Sequence, residues 1–244
     1  MSFIVLIPSR YNSTRLPGKP LLKIKGKSLI QRVYEKAILS EASSVFVVTD
    51  SQKIADHCNI FNAPIVMTKQ EHATGTDRLA EAAEILELEN DQVVVNLQGD
   101  EPFTLAEDIN KVSKIVLENK FADMGTLYTK VTQEEDLRDM SKVKLLVDQS
   151  SKVHSFSRKS IISKSQSLTQ GIHIGIYSYK VSFLNTFVSF KRSVNEIKEN
   201  LEQLRALEKK KNIFAKLSKN IFHLGIDTKN DLYEAEELIK KHGI

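Results

Sequence analysis

One pattern in the first hundred residues restricts the fold more than any other: short apolar runs separated by amphipathic stretches. Phe3 to Ile7, Val45 to Asp50, Ile65 to Met67 and Val93 to Leu97 are such runs, the second ending on an acid. A strand buried on both faces reads this way, without polar alternation. Between the runs, Ser28 precedes Leu29, Ile30, Val33, Ala37 and Ile38 at helical spacing, which places Ser28 as an N-cap. Ile54, Ala55 and Cys58 mark a second helix. Thr76 to Leu88 is a third, with Leu79, Ala82, Ala83 and Leu86 on one face. Strands alternating with helices across short loops predict an α/β fold, with a mostly parallel sheet and helices on both faces. Ligands of such sheets bind beyond the carboxyl ends of the strands, so the polar residues after Ile7, Val48 and Leu97 are expected on one rim.

The second half is less regular. Met124 to Val131, Val143 to Val147, Ile174 to Tyr179, Ile213 to Leu217 and Phe222 to Ile226 read as strands. Leu201 to Lys211 and Thr228 to Lys241 read as helices, the latter with Thr228 and Asp231 in capping-box spacing. Ser157 to Thr169, rich in Ser and Lys, reads as an exposed loop. No composition shift cuts the chain, so residues 1–244 are taken as one domain, with about 125–211 a smaller region inside it.

Composition narrows the function classes only a little. A net charge of +4 in 244 residues fits an enzyme with a polyanionic substrate as well as a nucleic-acid binder. Against the second class, the cations gather in one loop, and basic residues interleaved with stacking aromatics are missing. Cys58 is the only cysteine, so no disulfide forms within the chain. No apolar run approaches the roughly 20 residues of a membrane span, and no leader is visible, so the expected location is the cytoplasm without membrane attachment.

The loop Pro8-Ser9-Arg10-Tyr11-Asn12-Ser13-Thr14-Arg15-Leu16-Pro17-Gly18-Lys19-Pro20 follows the first strand. Arg10, Arg15 and Lys19 place three cations at the rim, with Ser9, Ser13, Thr14 and backbone N–H groups between them. A triphosphate needs several positive charges and close backbone donors. A basic loop that merely faces water has the same composition. The segment matches neither the Walker loop nor GxGxxG. Asp100, at the end of the Val93 to Leu97 strand, is either a magnesium ligand or a turn acid. Asp227 is either a second ligand or a helix-start acid. Thr74 opens a helix, where it caps the backbone and can also contact a ligand. His173 and Tyr177, four apart on a strand, share a face.

Six stretches in order carry a family resemblance. They are the loop above, His72-Ala73-Thr74-Gly75-Thr76-Asp77-Arg78, Asn96-Leu97-Gln98-Gly99-Asp100-Glu101-Pro102, Phe156-Ser157-Arg158, His173-Ile174-Gly175-Ile176-Tyr177-Ser178-Tyr179, and Leu201 to Glu208, with Asp227-Thr228 after them. Together the chain resembles the 3-deoxy-manno-octulosonate cytidylyltransferase family over nearly its whole length. The resemblance implies a Rossmann-like nucleotidyltransferase sheet and a homodimer built through the second half. It implies transfer of CMP from CTP to an eight-carbon sugar acid, with pyrophosphate released, for lipopolysaccharide synthesis. By the same resemblance, Arg10, Lys19, Asp100 and Asp227 are catalytic, and Asp100 and Asp227 hold Mg²⁺. Pro8, Arg10, Arg15, Lys19, Thr74, Arg78 and Gln98 bind the nucleotide. Gln98, Arg158, His173, Tyr177, Glu202 and Gln203 bind the sugar acid.

The chain departs from the family pattern around Arg158. Ser155 stands where the family has tyrosine, Lys159-Ser160-Ile161 lacks the usual proline, and Ile172 replaces a basic residue before His173. CTP selection is therefore expected to be kept. Acceptor selection is either unchanged, the differences being drift in a loop, or shifted toward a modified octulosonate such as the 8-amino form. A sugar nucleotidyltransferase using UTP or another acceptor is the remaining enzyme alternative.

Overall fold

The computed structural model describes residues 2–13, 15–72, 74–161, 165–220 and 223–242. In chain order the elements begin β1 (Phe3–Ser9), a 3₁₀ turn (Lys19–Leu21), β2 (Lys23–Ile24), β3 (Lys27–Ser28) and α1 (Leu29–Ala37). Then come β4 (Ser44–Thr49), α2 (Gln52–Asn59), β5 (Ile65–Met67), α3 (Gly75–Ile85), β6 (Val93–Leu97) and α4 (Ala106–Glu118). These are followed by β7 (Met124–Lys130), α5 (Glu134–Arg138), β8 (Lys144–Asp148), β9 (Val153–Ser157) and β10 (Leu168–Lys180). The chain closes with α6 (Val181–Ser189), α7 (Val194–Glu199), α8 (Gln203–Glu208), β11 (Ile213–Leu217) and α9 (Lys229–His242). The α/β class is as expected. Among the described residues no helix is long and apolar enough to cross a membrane.

The chain divides into two compact units. Among the described residues, one comprises 2–89, 96–110 and 223–242, and the other 90–95 and 111–220. In the first, β1 pairs parallel with β4, and β4 with β5. All seven residues of β1 are buried, which is why its sequence shows no alternation. Ser9 lies opposite Thr49, and Thr49 opposite Met67, so the chain leaves these strands at one rim. Ser28 caps α1 as expected, its Oγ accepting from Gln31 N at 3.2 Å. Below the cation loop, Leu16, Ile24, Leu29, Phe103, Ile226 and Ala235 form an apolar cluster. Leu16, only 4% exposed, pins the loop to it, and burying such a side chain is worth about 1.5–3 kcal/mol.

The second unit is built on antiparallel pairing. Strand β10 pairs with β7 and with β8, and β8 with β9, while β11 runs parallel to β7. Strand β10 is longer than the expected Ile174 to Tyr179, and it begins inside the expected loop. It carries a bulge: Ile174 lies opposite Leu127, and the next paired residue, Tyr177, lies opposite Thr126.

Two more expectations are corrected, and one strand was not expected. The helix expected over Leu201 to Lys211 is only Gln203–Glu208. Asn200, with φ of 53°, ends α7 just before it, and Lys210, with φ of 56°, takes the left-handed backbone that stops α8. Residues 223–226 of the expected closing strand are irregular, with Ile226 N donating to Asp100 O at 2.9 Å; Phe222 lies outside the described residues. Val153–Ser157 forms a strand that composition did not indicate.

Glu196 and Arg205 tie α7 to α8, with Arg205 Nε donating to Glu196 Oε2 at 2.9 Å. Their side chains are 1% and 2% exposed, and the guanidinium also lies 4.5 Å from the Phe187 ring centre. Although burial opposes ionisation of Glu196, its bonds from Arg205, Ser193 and Arg192 outweigh it and depress the carboxyl below its ordinary range. The pair's stabilisation is therefore present above the unfolded-state value and lost as pH falls through the depressed folded-state value. Glu196→Ala strands a buried guanidinium and is expected to cost about 3–5 kcal/mol in urea unfolding. A loss below about 1 kcal/mol would mean the pair is solvent-relieved.

Candidate active site

The cation loop closes on itself. Gly18 N donates to Tyr11 O at 3.2 Å, and Leu21 N to Gly18 O at 2.9 Å. Gly18 has φ of 66°, a left-handed geometry that disfavours a side chain. The turn that follows carries Lys19 to the ends of two other segments. Lys19 Nζ lies 2.6 Å from Asp100 Oδ2 and 3.0 Å from Asp227 Oδ1. Arg15 Nη2 lies 2.9 Å from Asp227 Oδ1.

The bond from Ile226 N to Asp100 O brings Asp227 beside Asp100, and Asp227 N is held by Asp231 Oδ2 at 2.8 Å. Asp231 and Thr228 form the expected box, so Asp227 precedes the helix cap rather than serving as it. Gly99 allows the approach of the acid segment to β1, since a Cβ there would stand 2.9 Å from Pro8 O. Ser9 is 5% exposed, and its buried Oγ has no hydrogen-bond partner among the described residues.

The electrostatics follow from this crowding. Burial opposes the charge on Lys19, but Asp100 and Asp227 outweigh it and raise the ammonium above its ordinary value. Burial likewise works against the Asp227 carboxylate, yet Lys19 and Arg15 hold it below the carboxylate range. Burial, then the charges of Asp100 and Asp227, push Glu101 up to about 8.

Two carboxylates that share one ammonium can share a metal cation, so the pair fits Mg²⁺. The described residues contain no group of three or more His, Cys, Asp and Glu side chains suited to a metal. A cation here would need further oxygens from phosphate or water, as Mg²⁺ commonly takes.

The remaining nucleotide candidates differ in availability. Arg10 is exposed and Pro8 is buried. Thr74 caps α3: its Oγ1 accepts from Asp77 N at 3.2 Å, and Asp77 Oδ2 accepts from Thr74 N at 3.1 Å. Gln98 Nε2 donates to Asn96 Oδ1 at 2.9 Å. Arg78 is 4% exposed and already engaged, on Asp50 Oδ2 at 2.8 Å and Lys69 O at 3.1 Å. Its place is to fix the Asp50 and Thr68 ends of the parallel strands. Thr14 and Ala73 lie outside the described residues.

In the other unit, His173 and Tyr177 have ring centres 5.5 Å apart. Four residues of flat strand would separate them by about 13 Å. The bulge makes the difference, because it absorbs two residues and so brings Tyr177 to the next same-face position. Phe156 packs against His173 edge to face, with centres 5.1 Å apart. Burial drives the imidazole value down to about 3, so His173 is neutral at physiological pH. Tyr177 Oη donates to Gln203 Oε1 at 3.3 Å. Gln203 is 2% exposed, and its Nε2 has no partner among the described residues. Glu202, at the start of α8, is half-buried.

Arg158 is engaged on backbone. Nε donates to Glu199 O at 2.8 Å, and Nη1 to Ser141 O at 3.2 Å and Met140 O at 3.3 Å. Ser155 and Ile172 each stand next in sequence to Phe156 and His173 on a strand, and therefore on the opposite face.

The cytidylyltransferase family profile matches residues 4–213. The chain belongs to the cytidylyltransferase family. It is 40% identical over 248 residues to a 3-deoxy-manno-octulosonate cytidylyltransferase of Vibrio vulnificus, covering 98% of both chains. It is 41% identical over 253 residues to the protein so named in Saccharophagus degradans, covering 98% of this chain and 99% of that one. Its fold superposes with a TM-score of 0.89 on a CMP:2-keto-3-deoxy-manno-octonic acid synthetase solved with CTP, at 32% identity and 99% coverage of both. The resemblance read from the motifs is thus borne out. For this cytidylyltransferase, the sequence reading left Thr126, Phe156, Asp50 and Glu101 without a role. Phe156 and Glu101 stood inside quoted motifs, and Asp50 at a strand end. Nothing in the sequence signalled Thr126.

Proposed function

We propose that this cytidylyltransferase activates 3-deoxy-D-manno-octulosonate with CTP, giving the CMP-sugar and pyrophosphate for lipopolysaccharide synthesis in the cytoplasm. The observation that carries the reading is the convergence of Lys19, Asp100 and Asp227, in a chain about 40% identical to relatives of that name. Arg10, Arg15 and Lys19 bind the triphosphate, joined by the Ser9 hydroxyl, whose buried oxygen lacks another partner. Asp100 and Asp227 hold Mg²⁺, which when bound supplies charge neutralisation on the phosphates and the departing pyrophosphate. Gln98 and Thr74 frame the nucleoside. Arg78 supports that frame from behind, through Asp50 and Thr68.

His173, Tyr177, Glu202 and Gln203 orient the sugar acid so that its anomeric hydroxyl attacks the α-phosphorus of CTP. The bond to the bridging oxygen of pyrophosphate breaks in the same displacement and the hydroxyl proton passes to water, with no covalent enzyme intermediate. The unpaired Nε2 of Gln203 supports its assignment, being a buried donor awaiting an acceptor. Arg158 acts on the pocket through the Glu199 segment that leads to Glu202. A homodimer is also part of the reading. It is supported by Val194 and Ile197, three apart on α7 and 79% and 60% exposed.

The test compares kcat/KM for the ordinary octulosonate with that for its 8-amino analogue, at saturating CTP and Mg²⁺. Ser155 and Ile172 face away from His173, so the ordinary acid is expected to be used at least as well. A marked preference for the analogue would overturn the acceptor named here.

A further inference from the structure

Thr126 lies on β7 with none of its surface exposed, beneath the bulge of β10. Its Oγ1 lies 2.8 Å from Ile176 O, 3.2 Å from Ile174 O and 3.0 Å from His173 Nε2. A threonine hydroxyl has one proton to donate and lone pairs to accept with. Ile176 lies inside the bulge and Ile174 at its edge, where ladder pairing is interrupted, and a buried carbonyl left unpaired is costly. The proton therefore goes to the bulge, nearest to Ile176 O. The bond to His173 must then run the other way, from Nε2–H to Oγ1. In a neutral imidazole with a protonated Nε2, Nδ1 is a bare acceptor. No protein donor engages it among the described residues, and the ring is held between Phe156 and Tyr177.

We propose that Thr126 is a positioning residue that fixes His173 as the Nε2–H tautomer, so that Nδ1 accepts a hydrogen bond from a hydroxyl of the sugar acid. This rests on the reading of His173 as part of the acceptor pocket. It also sets the chemistry of that contact. A bare nitrogen takes O–H or N–H donors and repels a carboxylate, so the acid group of the substrate binds elsewhere. The same buried hydroxyl links the bulge to the imidazole, which makes the bulge carbonyls the fixed reference for the ring.

The first measurement needs no turnover. Protein labelled with ¹⁵N-histidine is recorded by long-range ¹H–¹⁵N correlation, with the His173 signal assigned by its loss in His173→Gln. A protonated Nε2 beside an unprotonated Nδ1 is expected, and the opposite tautomer would overturn the proposal. In Thr126→Val the tautomers should mix. kcat/KM for the sugar acid should fall about tenfold, the scale of one mispaired hydrogen bond, with KM for CTP unchanged and both effects reversed in Thr126→Ser. If Thr126→Val does not fold, the wild-type tautomer and the Ser variant still decide. Mixed tautomers with unchanged sugar-acid kinetics would overturn the ligand contact while leaving the tautomer assignment standing, and would point at the pocket assignment itself.

Discussion

Asp100→Ala and Asp227→Ala are each expected to lower turnover by about 10²–10³ while leaving the melting temperature close to that of the parent. The magnitude corresponds to losing about 3–4 kcal/mol of transition-state stabilisation, typical of a metal's electrostatic contribution. The fold should tolerate both changes, because the side chains are 31% and 42% exposed and lie outside the apolar cluster. Asp100 and Asp227 come from distant parts of the chain, yet both reach Lys19 Nζ within 3.0 Å. Such convergence of like charges is unfavourable unless a cation sits between them. Initial rates across a Mg²⁺ titration check this, and parent-like rates at saturating Mg²⁺ for both variants would remove the acids from the mechanism.

Lys19→Ala should have two separable effects. kcat/KM for CTP is expected to fall about 30- to 100-fold, the equivalent of about 2–3 kcal/mol for a charge-assisted phosphate contact, while KM for the sugar acid moves little. The second effect concerns stability. Lys19 is 14% exposed and is the cation between two carboxylates, with Glu101 close enough to feel both. Without it, the acids repel across a partly dry site. The variant should therefore melt below the parent in EDTA, and the gap should narrow in excess Mg²⁺, which would occupy the same carboxylates. A kinetic defect confined to the sugar acid would contradict the phosphate assignment, and a Mg²⁺-independent melting deficit would contradict the electrostatic account.

How much could be read in advance depended on whether a signal was local. The buried runs of β1, β4, β5 and β6 and the Ser28 cap were legible because burial and capping act on neighbouring residues. The cation loop and the two acids were legible as residue types in motifs. That Lys19 stands between the acids was not, since contacts across 81 and 208 residues leave no periodic trace. Arg78 and Arg158 show the reverse failure. Both look available in sequence, but tertiary partners engage them: Asp50 for one and the carbonyls of Glu199, Ser141 and Met140 for the other. His173 and Tyr177 were placed on one face by strand parity, and parity held only because the bulge absorbs an even number of residues. Their contact, and Thr126 beneath it, depend on that bulge, which has no signature in Ile174-Gly175-Ile176 beyond a glycine.

The most direct test of the central claim is the product. The protein is incubated with 3-deoxy-D-manno-octulosonate and Mg²⁺, with CTP or UTP in turn, and each mixture is analysed by mass spectrometry beside a pyrophosphate assay. The expected result is a CMP-octulosonate and one equivalent of pyrophosphate with CTP, and little product with UTP. Absence of turnover with CTP, or equal use of UTP, would contradict it.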